Sequence, residues 1–572
     1  MKKFFEKYDL FFYLGVTLLC LLVMATTSGA FYRDTDSYMW ANRMIAWISS
    51  ASFSEQPFML SNYPKGEILH WTRPLDIFWY GLYWFFKNTY PLKEAVFLSG
   101  IFLSPVIGIL FVLTTYFVIR PFYKGFYRLL FIFGIFFPFP FQGAFRFFNP
   151  DHHALILLFQ WISFAFLMRW IYFDKKKSVI LGGVFAALSI WTTVESWIFF
   201  FMMLSAFALG FVFFKRRLKD IVSFVFWTFV TLFIATLLNP PAQGLFYLDL
   251  GRISFAYVGM AGLVFLNLKI MQWYQADKYT VLQKIVSLIP LGIVSFCWLG
   301  MLYYPLFTSQ LADVWMCRIQ EMQSPLKSFL RTLYYLGSPF LGVILWIACL
   351  WRKRKFDLWL SSVGVFLLGY FILTCYSLRF CSFLSLYALI PFVDWVRFET
   401  KDMKKEDVVP NHVMGVSFCY FLGAILIISC SDLMSYTKRG ESQSLIQNNY
   451  LLNNGIKTVL SDVFYGPKII FETGRPVVAT PYHRNEEGIL DSHHIFYGTN
   501  MSQVYDLLKK HQVEDVLLTV HDIDVYYKNA PESSFYKRII SQKNMPSWFE
   551  LKQLKKEKEG YFIWGKIIYQ NE

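Results

Sequence analysis

Six consecutive residues, Asn149-Pro150-Asp151-His152-His153-Ala154, put a carboxylate and two imidazoles at the mouth of an apolar helix. Ionisable groups beside or inside a membrane-crossing segment are costly, so they read as functional unless a partner or a water-filled setting accounts for them. Asp151 and His153, two apart, are of the types that ligate one divalent cation, through a carboxylate oxygen and an imidazole nitrogen. His152 stands between them as a supporting residue. The competing reading is structural: Asp151 favours the positive end of the helix dipole, and both histidines are solvated.

Other candidate groups lie far apart in the chain. Asp34 and Asp36, in Phe31-Tyr32-Arg33-Asp34-Thr35-Asp36, could hold Mg2+ or Mn2+ through hard oxygens and bridge it to a phosphate, although Asp-x-Asp is also common in exposed loops. Arg73 follows His70 and Trp71; its guanidinium could meet a lipid phosphate or anchor the chain at an interface. Glu195 stands at a tight turn, as a carboxylate that orients a metal ligand or as a solvated turn residue. Glu321 precedes Gln323-Ser324-Pro325 in a later loop. Arg379-Phe380 opens another apolar run, where an arginine can snorkel or bind an anion at the helix start. His483 and Arg484, in Pro481-Tyr482-His483-Arg484-Asn485, could touch a phosphate or sugar or simply form a surface loop.

The elements that must position these groups are mostly membrane helices. The chain has 572 residues, 56% hydrophobic and only 16% charged, which is the composition of a polytopic membrane protein. Apolar runs of spanning length fall at about 10–30, 95–119, 128–141, 152–173, 178–194, 196–214, 221–238, 253–271, 285–305, 331–350, 357–375, 380–396 and 412–431. Leu10–Ala30 reads as a span and not as a cleaved leader. The basic clusters alternate between spans, so one threading puts the N-terminus and all of these clusters in the cytoplasm. Roughly thirteen transmembrane helices then leave the C-terminus outside, and every candidate group falls on that outer face. Asp76–Phe86 is too short to span and is expected at the outer interface.

The expected fold class is therefore membrane α-helical with a C-terminal extracytoplasmic α/β domain. Residues 1–434 form the transmembrane part, with a long first outer loop at 31–76, and residues 435–572 the outer domain. Within that domain Thr458–Val463, Val477–Pro481, Val513–Val520 and Tyr561–Ile568 read as strands and Ser502–Gln512 as an amphipathic helix. The net charge of +15 does not indicate nucleic acid. From Gly440 onward Lys and Arg number 15 against 16 Asp and Glu, so the excess belongs to the membrane half, where the lipid surface accounts for it. The cysteines sit almost entirely in apolar runs and form no disulfide framework. No Walker loop, dinucleotide fingerprint or nucleophile elbow appears.

Taken in order, the Asp-x-Asp of the first outer loop, the Asp-x-His of the second, the late Glu before Gln and Pro, the Arg-Phe and the outer C-terminal domain resemble the catalytic subunits of oligosaccharyltransferases. These are integral-membrane, C-type glycosyltransferases that use polyprenyl-linked donors, and the resemblance covers roughly residues 1–430. It implies that Asp36, Asp151 and His153 bind the catalytic metal, Mg2+ or Mn2+. It further implies that Glu321 belongs to the acceptor and metal site, with Asp36 or Glu321 orienting or deprotonating the acceptor. By the resemblance Arg379 would hold the donor phosphates and transfer would be a single inverting displacement; Arg73, by its residue chemistry alone, would assist with the phosphate. Two departures stand out: Ser324 separates Gln323 from Pro325, and the Trp-Trp-Asp-Tyr-Gly motif that reads a glycosylation sequon is absent. The expected activity is transfer of a sugar or oligosaccharide from a polyprenyl-(di)phosphate to a protein or glycolipid acceptor, on the outer face of a bacterial inner membrane. The alternatives are a polyprenyl-monophosphate-sugar transferase acting on lipid or polysaccharide, and a non-enzymatic flippase. A flippase would carry polar groups near the bilayer midplane and an internal repeat.

Overall fold

The structure, a computed structural model, describes residues 31–32, 34–50, 56–136, 143–308, 311–353, 357–400, 412–417, 457–521, 525–557 and 560–569, with three residues near position 17. The expected spans at 10–30 and 412–431 lie largely outside the described residues. Two compact units are present. One comprises Met1–Phe31, Trp71–Tyr304 and Gln320–Asp432; the other comprises Tyr32–His70, Pro305–Ile319 and Leu433–Glu572.

The first unit is helical. Among the described residues, nine helices are long and apolar enough to cross a membrane: Leu92–Ile119, His152–Phe173, Val194–Phe213, Leu218–Leu238, Phe255–Trp273, Val281–Trp298, Phe329–Lys353, Leu358–Tyr376 and Leu378–Glu399. Each falls on an expected span, because unbroken apolar length is what a bilayer demands of the backbone. The chain is a multi-pass membrane protein. The helices Phe126–Phe136 and Lys176–Thr192 also fall on expected spans, with 11 and 17 residues respectively. Pro74–Phe86 is a 13-residue helix that buries Leu75, Trp79 and Tyr83 and leaves Ile77, Tyr80, Trp84 and Phe85 exposed. A short helix with one open aromatic face suits a membrane interface.

Three of the nine spans are the most enclosed by protein. His152–Phe173 and Leu378–Glu399 are each 83% buried and Val194–Phe213 is 67% buried, against 6–61% for the other six. All three begin at or next to a candidate residue: Asp151, Arg379 and Glu195. Close approaches of backbone to backbone also occur within this unit. Lys176–Thr192 lies against both His152–Phe173 and Leu218–Leu238, and a Cβ on Gly183 would run into the carbonyl of Phe224 and the backbone nitrogen of Thr228.

The second unit carries a four-stranded sheet of β1 (Thr458–Ser461), β2 (Val513–His521), β3 (Phe549–Glu557) and β4 (Gly560–Ile567) in the order β1-β2-β4-β3. β1 and β2 are parallel, and the other two pairings are antiparallel. Its core includes Leu460, Val513, Val516, Leu518, Phe535, Ile539 and Ile563. Each such side chain contributes about 1.5–3 kcal/mol on burial.

Three local features differ from the expectation. Val477–Pro481 is not a strand; only Val477 bridges to Val459, and the residues beyond it turn toward polar partners. β3 escaped detection because its register shifts between Leu551 and Gln553, which breaks the period-2 alternation by which strands are recognised. The first outer loop, expected as connecting chain, contains the 16-residue helix Thr35–Ser50. Arg43, 4% exposed on its buried face, stacks over Trp40, so polar and apolar residues share that face and mask its periodicity. Asp34 Oδ1 accepts the amide of Ser37 at 2.7 Å, a capping bond at the start of this helix. In the same unit the helix packs on Gly466–Thr473, with Asn42 donating to the carbonyl of Pro467.

Candidate active site

Asp151 precedes helix His152–Phe173 with extended backbone, φ −139° and ψ 147°, as an N-cap residue does, yet its side chain makes no capping bond. Forgoing such a bond costs about 1 kcal/mol. The carboxylate turns instead to the two following imidazoles: Oδ2 lies 2.6 Å from His153 Nδ1 and Oδ1 2.7 Å from His152 Nδ1. Burial by itself would raise the Asp151 carboxyl, but the two imidazoles outweigh it and hold the group well below the usual carboxylate range. Neither Asp151 nor His152 is solvated, at 7% and 4% exposed. A helix-start aspartate with solvated histidines does not describe this arrangement. One ligand atom from each of Asp151, His152 and His153 lies within 4.8 Å of the others, a mixed oxygen and nitrogen set that fits a divalent cation.

Two other candidate charges of this unit, Arg379 and Glu321, act on that cluster. Arg379 Nη1 lies 2.6 Å from Glu195 Oε1, and Arg379 is within electrostatic reach of both histidines. The ion-pair partner of Glu195 is therefore Arg379. Glu321 is within electrostatic reach of His153. Its loop is fastened to the turn before Arg379: Ser377 Oγ donates to the carbonyl of Glu321 at 2.8 Å, and the amide of Leu378 to that of Gln323 at 3.1 Å. Ser324, the residue inserted between Gln323 and Pro325, donates to the carbonyl of Cys375 at 2.6 Å and accepts the amide of Leu326. The insertion thus fastens the same loop to the same turn.

Arg73 is 3% exposed, and its Nη1 lies 2.9 Å from Oδ2 of the fully buried Asp76. A phosphate there would have to compete with that carboxylate. Thr72 and Trp191 tie this stretch to the turn before Glu195: Thr72 donates to the carbonyl of Trp191, and Trp191 Nε1 to Asn239, which also accepts the amide of Arg73.

In the second unit Asp36 sits in the first turn of helix Thr35–Ser50, and its Oδ1 accepts the hydroxyl of Tyr482 at 2.9 Å. Burial and the neighbouring charge of Asp36 push this hydroxyl well above its usual range, so it remains a donor. His483 packs against His70 with ring centroids 4.5 Å apart, and Arg484 beside it is half-buried. Pro481–Asn485 is therefore more than a surface loop, since Tyr482 and Asn485 are 4% and 0% exposed. Sequence reasoning missed Glu67. It is 4% exposed, and its Oε1 accepts the hydroxyl of Thr480 at 2.7 Å. Burial pushes its carboxyl up to about 8, against the opposing pull of the Thr480 and Ser61 hydroxyls. One glutamate between Gly66 and Ile68 gave no pattern that could have revealed it.

The fold and these residues define a multi-pass membrane protein with an acidic, histidine-bearing cluster at the start of one of the two most enclosed spans among the described residues. No family model and no curated protein matches the sequence. Solved structures do match. An oligosaccharyltransferase of Archaeoglobus fulgidus tethered to an acceptor peptide with an NVT sequon aligns at a TM-score of 0.67 and 14% identity, over 99% of this chain and 75% of that one. The archaeal oligosaccharyltransferase AglB of Archaeoglobus fulgidus, in complex with an inhibitory peptide and a dolichol-phosphate, aligns at 0.63 and 11%, over 98% and 74%. An oligosaccharyltransferase of the same organism in complex with Zn and sulfate aligns at 0.61 and 12%, over 96% and 72%. At these identities the likeness is one of fold: the chain has the fold of archaeal oligosaccharyltransferases, the family its motifs resemble.

Proposed function

We propose that this protein is an integral-membrane glycosyltransferase that moves a sugar or oligosaccharide from a polyprenyl-(di)phosphate to an acceptor on the outer membrane face, by a metal-dependent, inverting displacement. The observation that carries the proposal is the buried Asp151–His152–His153 cluster, with Arg379 and Glu321 in electrostatic reach, in a chain with an oligosaccharyltransferase fold. Asp151 and His153 are the residues that would hold Mg2+ or Mn2+, and Asp36 is assigned the same role by the motif resemblance. A divalent ion supplies positive charge to the phosphate oxygens of the leaving group, with no proton transfer. Arg379 presents a guanidinium fork to phosphate and exchanges its carboxylate partner, Glu195, for it. It stands where the enclosed helix Leu378–Glu399 begins, and the dipole there favours an anion too. Glu321 or Asp36 orients the acceptor or takes its proton. Asp34, His152, Glu195, His483 and Arg484 support these groups. Arg73 is a second phosphate ligand only where Asp76 releases it.

The thirteen-span threading, with the N-terminus in the cytoplasm and the C-terminal domain outside a bacterial inner membrane, belongs to the same proposal. Absence of the sequon-reading motif favours a second reading of the acceptor, in which a polyprenyl-monophosphate sugar is transferred to lipid or polysaccharide. A flippase is disfavoured because the candidate groups of the membrane unit sit at the starts of spans, as Asp151, Glu195 and Arg379 do, or between spans, as Arg73 and Glu321 do, and not at span middles. The test compares glycoproteins and glycolipids from cells carrying the wild type, a deletion, or Asp36→Asn. A glycan lost in the deletion and not restored by Asp36→Asn supports the transferase, and the fraction that lost it names the acceptor. Full restoration by Asp36→Asn overturns the metal assignment.

A further inference from the structure

The C-terminal stretch 477–485 is tied to residues 58–67 of the first loop by a set of buried bonds within the second unit. The amide of Val477 donates to the carbonyl of Leu60 at 2.9 Å, and that of Tyr63 to the carbonyl of Val477 at 3.4 Å. Thr480 donates to Glu67, its hydroxyl lies 2.8 Å from that of Ser61, and Asn485 Nδ2 donates to Ser61 at 3.0 Å. Ser61, Thr480 and Asn485 are each 0% exposed and Glu67 4%. Gly488 seals the far end: a Cβ there would collide with Asn485 Oδ1 and the carbonyl of Val478. Bonds of this kind among buried groups are expensive to break, because each broken one leaves a desolvated polar atom.

What this anchoring fixes is the ring of Tyr482, midway between Thr480 and Asn485. Its hydroxyl is bonded to Asp36, 446 positions earlier in the chain. The bond is not a helix cap, since Asp34 already caps the helix on which Asp36 stands. A hydroxyl donor on one carboxylate oxygen fixes the plane of the carboxylate and so the direction in which it offers its lone pairs.

We propose that Tyr482 is a positioning residue for Asp36, through which the C-terminal domain sets the carboxylate for divalent-metal binding. The inference rests on the reading of Asp36 as a metal ligand. It gives the C-terminal domain of a chain without the sequon-reading motif a distinct task, that of orienting a ligand carried by the first outer loop.

The experiment measures Mn2+ affinity of the full-length protein in detergent, from the electron paramagnetic resonance of free Mn2+, with melting temperature recorded alongside. Tyr482→Phe keeps the buried ring and removes only the donor. It is expected to weaken Mn2+ binding about 10–100-fold, the usual cost of losing a group that orients a metal ligand, with the melting temperature unchanged. Wild-type affinity in Tyr482→Phe alongside lost affinity in Asp36→Asn overturns the positioning role and leaves the metal reading standing. Wild-type affinity in Asp36→Asn overturns both. Should Tyr482→Phe not accumulate, Thr480→Val decides: it cuts the loop's bond to Glu67 and leaves the Tyr482 hydroxyl in place. A several-fold loss of Mn2+ affinity supports the proposal, and wild-type affinity overturns it.

Discussion

The two acids of the first motif have separate work at the level of single residues. Asp34 caps helix Thr35–Ser50, and Asp36 faces Tyr482. Serine caps as well as aspartate does, so Asp34→Ser is expected to keep both stability and activity, whereas Asp34→Ala loses about 1 kcal/mol; thermal melts and the glycan assay of the purified variants check this. Glu67 provides a pH test. Its carboxyl is raised from the ordinary 4.5 to about 8 in the folded state, so the folded chain keeps a proton that the unfolded chain releases. This contribution to stability is fully present below about pH 4.5 and is lost as pH rises through about 8. Glu67→Gln removes the dependence. The melting temperature of the variant minus that of the wild type should climb between pH 5 and 8, by the equivalent of a few kcal/mol, and level off above. A difference that is flat with pH would contradict the assignment.

At the scale of elements, the membrane unit depends on how closely its helices approach. Gly183 lets Lys176–Thr192 press on the backbone of Leu218–Leu238, and Thr228 Oγ1 bonds back to the carbonyl of Gly183 at 3.2 Å. Small residues at such a crossing are the usual means of close packing in lipid. Gly183→Val is expected to abolish the monodisperse peak in detergent size exclusion, because backbone atoms cannot give way. Gly292→Val, where no atom lies within 4 Å of the added Cβ, should leave it intact. The same scale explains the placement of the candidate groups. The three most enclosed helices have the least freedom to shift, so groups at their starts are held in narrowly defined positions, as the proposed reaction would require.

For the whole molecule, the sheet-bearing unit is not the C-terminal segment alone. It also takes in Tyr32–His70 and Pro305–Ile319. Trp315 and Leu311 pack with Val463, Ala479 and Ile489, and Arg318 lies 2.7 Å from Asp462. Residues 433–572 expressed by themselves would expose these surfaces and leave Thr480 and Asn485 without Glu67 and Ser61. That fragment is expected to be poorly dispersed in proton NMR and rapidly proteolysed, while the same region in the full-length protein resists protease. A stable, well-dispersed fragment would show that the two inserted stretches are dispensable.

The sequence by itself determined where the helices run, which residue types could bind a metal or a phosphate, and which family the motif order resembles. Those properties are local: apolar length, helix starts and spacings of two residues are written in consecutive letters. Helix Thr35–Ser50 and β3 were not legible, since mixed burial in one and a register shift in the other erase the period. Only the tertiary structure decided the partners. It turned Asp151 from a helix cap into the ligand-like centre of two imidazoles, gave Glu195 to Arg379, used the inserted Ser324 as a fastening, and brought Tyr482 to Asp36 across 446 positions. Packing selects such pairs from many chemically equivalent candidates, and no spacing along the chain encodes that choice.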